Sequence, residues 1–364
     1  MNKRERFAAC MAHQQPDRAP RDFAGTSLTA CMPEFLQAMC RHLGIQADGV
    51  YDAEDQIGKR LDTDFRRVGA IFEPPTSHND TSRLAQGEYT DCWGIVRHQA
   101  GFYWDIWKSP LRDMSLEDLQ AYEWPDAANI DKKQLDDMEE RAKRLYYDTD
   151  VVVVGEHPVL GYLELGCWMF GFDDFLYRLL GEPETAQWFF SNYHRYVTDV
   201  CELYYGRLGK YFHVTTSGDD FGTQKGPFIS PELFREAIAP WYKKRIAMTR
   251  EMTDAYYFHH SCGSVFRLIP DILDMGVDIL NPIQPGAVEM EPERLKDAYG
   301  DRLTYWGGID EQNLLTKGTP EEVKKETARV LNIMNRDGGY VLAASHNIQP
   351  DVPPENVVAM FSVD

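Results

Sequence analysis

The chain is predicted to fold as an α/β barrel of the TIM (β/α)8 type, with a helical segment ahead of it and a β-hairpin excursion near residues 88–107. Three observations carry that prediction. From residue 115 onward, short strand-like runs alternate with helical stretches, the rhythm of parallel strands joined by crossover helices. About eight such runs occur and none opens with Gly-x-Gly-x-x-Gly, which favours a closed barrel over a dinucleotide-binding sheet. Five successive strand-like runs end in polar, chemistry-bearing residues, as expected where barrel enzymes place their sites.

In chain order, residues 1–13 read as an amphipathic helix that stops at Gln14-Gln15-Pro16-Asp17-Arg18-Ala19-Pro20, with a short strand expected near residues 21–24. A helix is expected near 34–43 and a strand at 67–72. Residues 88–98 and 101–107 form two aromatic runs around Gln99-Ala100-Gly101, which predicts the hairpin. Trp93, Tyr103, Trp104 and Trp107 crowd there, and residues 88–112 are expected to cap the barrel mouth as an insertion in a single domain spanning 1–364. Ser115-Leu116-Glu117-Asp118 has the form of a capping box. Residues 131–147 are charged and helical, 151–155 are a β-branched run suited to a strand buried on both faces, and 183–208 form a long helix. Ser230-Pro231 opens another helix with proline at its first position. Strands at 213–217, 255–259, 277–280, 303–306 and 339–344 alternate with helices at 264–275, 292–299 and 319–335.

The formal net charge of -20 disfavours nucleic acid as a partner. No apolar run is long enough for a membrane span, and the first residues lack the apolar centre of a secretion signal. Seven scattered cysteines without a Cys-x-x-Cys pair fit a reduced, cytoplasmic setting. The sequence leaves the oligomeric state open, a homodimer included.

The decorated strand ends carry the chemistry. They are Gly218-Asp219-Asp220, His260-Ser261-Cys262, Asn281-Pro282, Gly307-Gly308-Ile309-Asp310 and Ser345-His346-Asn347. Residues i and i+2 on a strand face the same way, so His260 and Cys262 are placed to share one ion. With His346 they make three nitrogen and sulfur ligands, the number a catalytic zinc takes while keeping one position open. Against the metal, Cys262 also suits packing at a helix start, and His346 a lone acid/base role. Glu156 and Asp219 are candidate acid/base residues beside His346. Asp220, Asn281, His157 and Asn347 are candidate substrate contacts.

Gln15-Pro16-Asp17-Arg18-Ala19-Pro20, Gly307-Gly308-Ile309-Asp310 and the tail from His346 to Val357 resemble the uroporphyrinogen decarboxylase superfamily. The resemblance runs nearly end to end and implies a TIM barrel with its site at the C-terminal strand ends. The decarboxylases of that superfamily carry an Arg-Gln-Ala-Gly-Arg signature that supplies cations to an octa-acid substrate. The matching stretch here is Asp22-Phe23-Ala24-Gly25-Thr26, so both arginine positions are lost and Asp22 is expected to repel such a substrate. His346 matches the decarboxylases' tail histidine. The cobalamin-dependent methyltransferase branch uses a His-x-Cys pair and a later cysteine as zinc ligands. His260 and Cys262 match the pair, and His346 stands for the third ligand. The chain has no Asp-x-His-x-x-Gly corrinoid motif, so a corrinoid is expected on a separate protein. The resemblance therefore implies a zinc-dependent methyltransferase acting on a small-molecule substrate with a corrinoid partner protein. The alternative is a cofactor-free decarboxylase of uroporphyrinogen III or another carboxylic acid. A non-catalytic subunit of a corrinoid protein is a third class.

Overall fold

The computed structural model describes residues 1–79, 84–101 and 103–363. Seven parallel strands run side by side in one curled sheet: β1 (Phe65–Val68), β5 (Val152–Gly155), β6 (Val214–Gly218), β7 (Tyr256–His260), β8 (Ile279–Asn281), β9 (Thr304–Trp306) and β10 (Tyr340–Val341), paired in that order. The eighth stave is the short segment at Arg21. It bridges Leu342 in parallel, and its carbonyl accepts a hydrogen bond from Asp64 N–H at 2.8 Å, beside the start of β1. The ring is thereby closed, and every strand end of one polarity opens on the same face.

The interior is set by strand alternation. Phe65, Val152, Val154, Val214, Phe258, Ile279, Trp306 and Val341 form one buried cluster. The first helix, Lys3–Met11, closes the N-terminal end of the barrel by adding Phe7, Cys10 and Met11 to that cluster. Phe7 meets Phe65 edge-on at 5.3 Å, and Phe65 and Phe258 both pack on Trp306. His260 lies two residues beyond Phe258 and Asn281 two beyond Ile279, so both continue the inward-facing rows to the C-terminal rim.

The helices Pro183–Leu208, Pro292–Tyr299 and Pro320–Met334 coincide with their expected positions to within a residue. Two strands differ. The run expected at 67–72 is displaced to Phe65–Val68, because Gly69 at φ 116° ends it and because Arg66 and Arg67 are tied to Asp55 and Glu54. A strand with two arginines is invisible to a search for apolar runs. The run expected at 339–344 narrows to Tyr340–Val341, its continuation being single bridges at Leu342 and Ala344.

The expected hairpin is present as β3 (Val96–Ala100) and β4 (Tyr103–Lys108), joined antiparallel, with β2 (Glu88–Thr90) added at the edge of β3. Phe102 lies outside the described residues, and so does the Tyr103 side chain. The aromatics do not crowd together. Trp93 is buried against Tyr193 and Tyr196 of the long helix, whereas Trp104 and Trp107 are exposed. Arg97 lies 4.7 Å over the Trp168 ring and anchors the small sheet beside the helix Tyr162–Phe170. No helix among the described residues is long and apolar enough to cross a membrane.

Candidate metal centre

Five strand ends meet at the rim, and three of their side chains converge. One ligand atom each from His260, Cys262 and His346 lies within 4.8 Å of the others, and Cys262 Sγ is 3.3 Å from His260 Nε2. A tetrahedral zinc with Zn–S near 2.3 Å and Zn–N near 2.0–2.1 Å spaces its ligand atoms about 3.5 Å apart, so the set fits with small side-chain shifts.

Asn281 decides which imidazole nitrogen of His260 is free. Its Nδ2 donates to the Trp306 carbonyl oxygen at 2.9 Å, so its Oδ1 faces His260 Nδ1 at 2.6 Å. An acceptor at that distance requires the proton on Nδ1. Nε2 is left with a lone pair directed toward Cys262 Sγ, the arrangement by which an outer partner orients a metal-binding histidine. Burial lowers the pKa of His260, and burial with the nearby His260 lowers that of His346 to about 4, which keeps both rings neutral. Burial raises the Cys262 thiol, and the carboxylates of Asp220, Glu164 and Glu311 raise it further. A dication between these atoms would reverse that effect and favour the thiolate.

Cys262 and His346 also line a cavity of about 570 Å³ at the mouth, with Gln224, Gln284, Asp310, Glu311, Gln312, Gln349 and Asp351. No Lys or Arg occurs among the described lining residues.

The other expected site residues are placed differently. Asp219 is almost fully buried and accepts from the N–H groups of Leu163 and Glu164 at 2.8 Å and from Tyr242 Oη at 2.9 Å. It caps the helix Tyr162–Phe170 and is not among the residues lining the mouth cavity; Asp220 is the one that faces the metal-competent set. Asp220 Oδ1 accepts from Cys262 N–H at 2.8 Å, lies 3.8 Å from His260 Nε2, and borders a pocket of about 80 Å³ with Glu164. Glu156 accepts from the N–H and hydroxyl of Ser27 and lies 3.8 Å from Arg67, which pins the 22–29 loop to the end of β5. His157 Nδ1 is 3.5 Å from Thr216 Oγ1 and 3.6 Å from Glu156. Asn347 donates to the Ser27 carbonyl oxygen at 3.2 Å. None of Asp220, Asn281, His157 and Asn347 borders the larger cavity.

Asp22 requires a correction as well. Its carboxylate is buried and accepts from Gly25 N–H at 2.6 Å, Thr29 Oγ1 at 2.6 Å and Trp306 Nε1 at 2.8 Å. It braces the loop after the eighth stave, with its carboxylate taken up by these three donors.

Two residues escaped the sequence reading. Glu311, next to the expected Asp310, is 9% exposed, and its Oε2 has no hydrogen-bond partner. Burial, with Asp310 and Asp351 close by, pushes it up to about 8. Glu164 is the one charged residue in the apolar helix Tyr-Leu-Glu-Leu-Gly-Cys-Trp-Met-Phe, a signal that was available in the sequence. Burial raises it well above the usual carboxylate range.

These shifts have a consequence for stability. Asp219 is raised to about 7, chiefly by burial, and Glu311 to about 8. A carboxyl whose folded pKa is raised stabilises the fold while protonated, and that contribution is lost as pH rises through the folded value. The lowered histidines act only below their ordinary value of 6.5. The thermal midpoint of metal-free protein is therefore expected to fall between about pH 6.5 and pH 8.5, and Glu311→Gln to flatten that slope. A midpoint rising across that window would contradict the assignment.

A family model described as uroporphyrinogen decarboxylase (URO-D) matches residues 165–363, more than half of the chain. A uroporphyrinogen decarboxylase from Chlorobaculum tepidum is 26% identical over 132 residues, which is 35% of this chain and 36% of that protein. One from Pseudoalteromonas translucida is 38% identical over 61 residues, 17% of each chain. The matched stretches thus span about a third or less of these relatives' length. A solved methyltransferase from Methanosarcina mazei superposes over 100% of this chain and 98% of its own with a TM-score of 0.69 at 14% identity, a likeness of fold.

Proposed function

The chain belongs to the uroporphyrinogen decarboxylase family, and from that premise we propose that it is a zinc-dependent methyltransferase moving a methyl group between a small substrate and a corrinoid carried by a partner protein. The observation that carries the reading is the convergence of His260, Cys262 and His346 with the His260 tautomer fixed by Asn281.

Those three side chains would hold the ion, and two of them, Cys262 and His346, line the mouth cavity. Bound there, zinc supplies a Lewis acid that lowers the pKa of a thiol or polarises an ether oxygen. The chain's own groups do the rest. Asn281 keeps the Nε2 lone pair of His260 aimed at the site. Asp220 holds the Cys262 backbone through its N–H and stands close enough to the set to take a proton from an incoming thiol. The amide side chains of Gln224, Gln284, Gln312 and Gln349 offer neutral donors and acceptors to a small polar substrate.

The names of the sequence relatives favour a second reading, decarboxylation of uroporphyrinogen III. Octa-acid recognition needs cations, and the described cavity lining has no Lys or Arg. The two readings separate in one pair of assays on purified protein. Metal analysis is expected to find one zinc per chain, and methylcobalamin with a thiol acceptor is expected to turn over in a zinc-dependent manner. Tetrapyrrole decarboxylation that survives chelation, with no methyl transfer, would overturn the proposal.

A further inference from the structure

The mouth cavity is lined by two unlike sets of side chains, Cys262 with His346 and the acidic Asp310, Glu311 and Asp351. The acidic set has no Lys or Arg beside it among the described lining residues. Glu311 is 9% exposed, borders the cavity and has an Oε2 with no hydrogen-bond partner. A buried polar oxygen without a partner is costly, and even a protonated carboxyl keeps accepting capacity, so the position marks a place for a donor from a ligand. Asp310 accepts from Gln312 and Asn313 N–H groups and so stays in place at the start of its helical turn. The three carboxylates do not form a metal site of their own. The sole described group of three or more potential ligands gathered within 4.8 Å is His260, Cys262 and His346. Carboxylates too widely spaced for one metal ion still suit a larger organic cation, which makes several weaker contacts at once.

We propose that the substrate carries an ammonium group seated among Glu311, Asp310 and Asp351, in addition to the sulfur or oxygen atom that exchanges the methyl. The substrate class is thus a small aminothiol or amino ether. The identity of the exchanging atom rests on the methyl-transfer reading; the ammonium subsite rests on the cavity alone.

The test uses the full chain loaded with zinc and calorimetric titration with two sets of small probes. The first set is 2-aminoethanethiol, 2-mercaptoethanol and 2-mercaptoethanesulfonate, which differ in the charge of the tail. The second is ethanolamine and 2-hydroxyethanesulfonate, which lack the thiol. In both sets the cationic probe is expected to bind at least about tenfold more tightly than the others, with the sulfonates weakest. Asp351→Asn and Glu311→Gln are each expected to reduce that preference severalfold while zinc content stays at the wild-type level. Equal binding across tail charges, or preference for a sulfonate, overturns the ammonium subsite. If thiols bind without charge preference, the subsite fails and the methyl-transfer reading stands. If the protein holds no zinc but ethanolamine still binds over the sulfonate, the subsite stands and the methyl-transfer reading fails.

Discussion

Cys262→Ser and His260→Ala are expected to weaken zinc binding by more than about 100-fold, because each removes one of three protein ligands. Asn281→Ala is expected to cost roughly 10–100-fold, the range typical of a partner that only orients a ligand. It leaves all three ligand atoms in place but frees the His260 ring to rotate and to change tautomer. The graded series is the informative part. Competitive titration against a chelator of known affinity measures all three on one scale. Wild-type zinc affinity in both ligand variants would sink the metal centre. An Asn281→Ala loss as large as that of Cys262→Ser would show that Asn281 does more than orient.

Trp306→Ala is expected to destabilise the fold by about 3–5 kcal/mol, the usual result of emptying a buried aromatic site. Trp306 is fully buried at the centre of the barrel, with Phe65 centred 4.2 Å and Phe258 5.3 Å away. Its Nε1–H also donates to the buried Asp22 carboxylate, so truncation leaves that acceptor short of a donor. Trp306→Phe keeps most of the volume and is expected to cost about 1–3 kcal/mol, mainly from the lost hydrogen bond. Urea denaturation followed by circular dichroism measures both. The bond from Asn281 goes to the backbone oxygen of residue 306, so the folded Phe variant is expected to keep wild-type zinc affinity. A cost below about 1 kcal/mol for the alanine variant would mean the interior rearranges to fill the gap.

Much of the fold was legible because the barrel is built from local patterns. The β-branched run near Val152 fits a strand with both faces covered, and the long helix from Pro183 has both its ends marked by sequence. Charged strand positions were not legible: Arg66 and Arg67 sit in β1 because Asp55 and Glu54, from the preceding helix, neutralise them. The aromatic residues near the hairpin looked like one cluster, yet Trp93 finds its partners on a helix a hundred residues further on.

The sequence by itself determined that His260 and Cys262 would share a face, that both would lie at a strand end, and that His346 would end another strand of the same barrel. Those are consequences of the two-residue period of a strand and of parallel strand order. The tertiary structure alone decided what each polar side chain does there. Asp219 became a helix cap and Asp220 the neighbour of the metal-competent set, because the N-terminus of a helix after β5 arrives over one carboxylate and not the other. Asp22 became a buried brace because Trp306 and Thr29 donate to it. Glu311 joined the cavity while Glu156 was drawn off to Ser27 and Arg67. Which donors reach a given carboxylate depends on contacts between residues far apart in the chain, and periodicity carries no record of those.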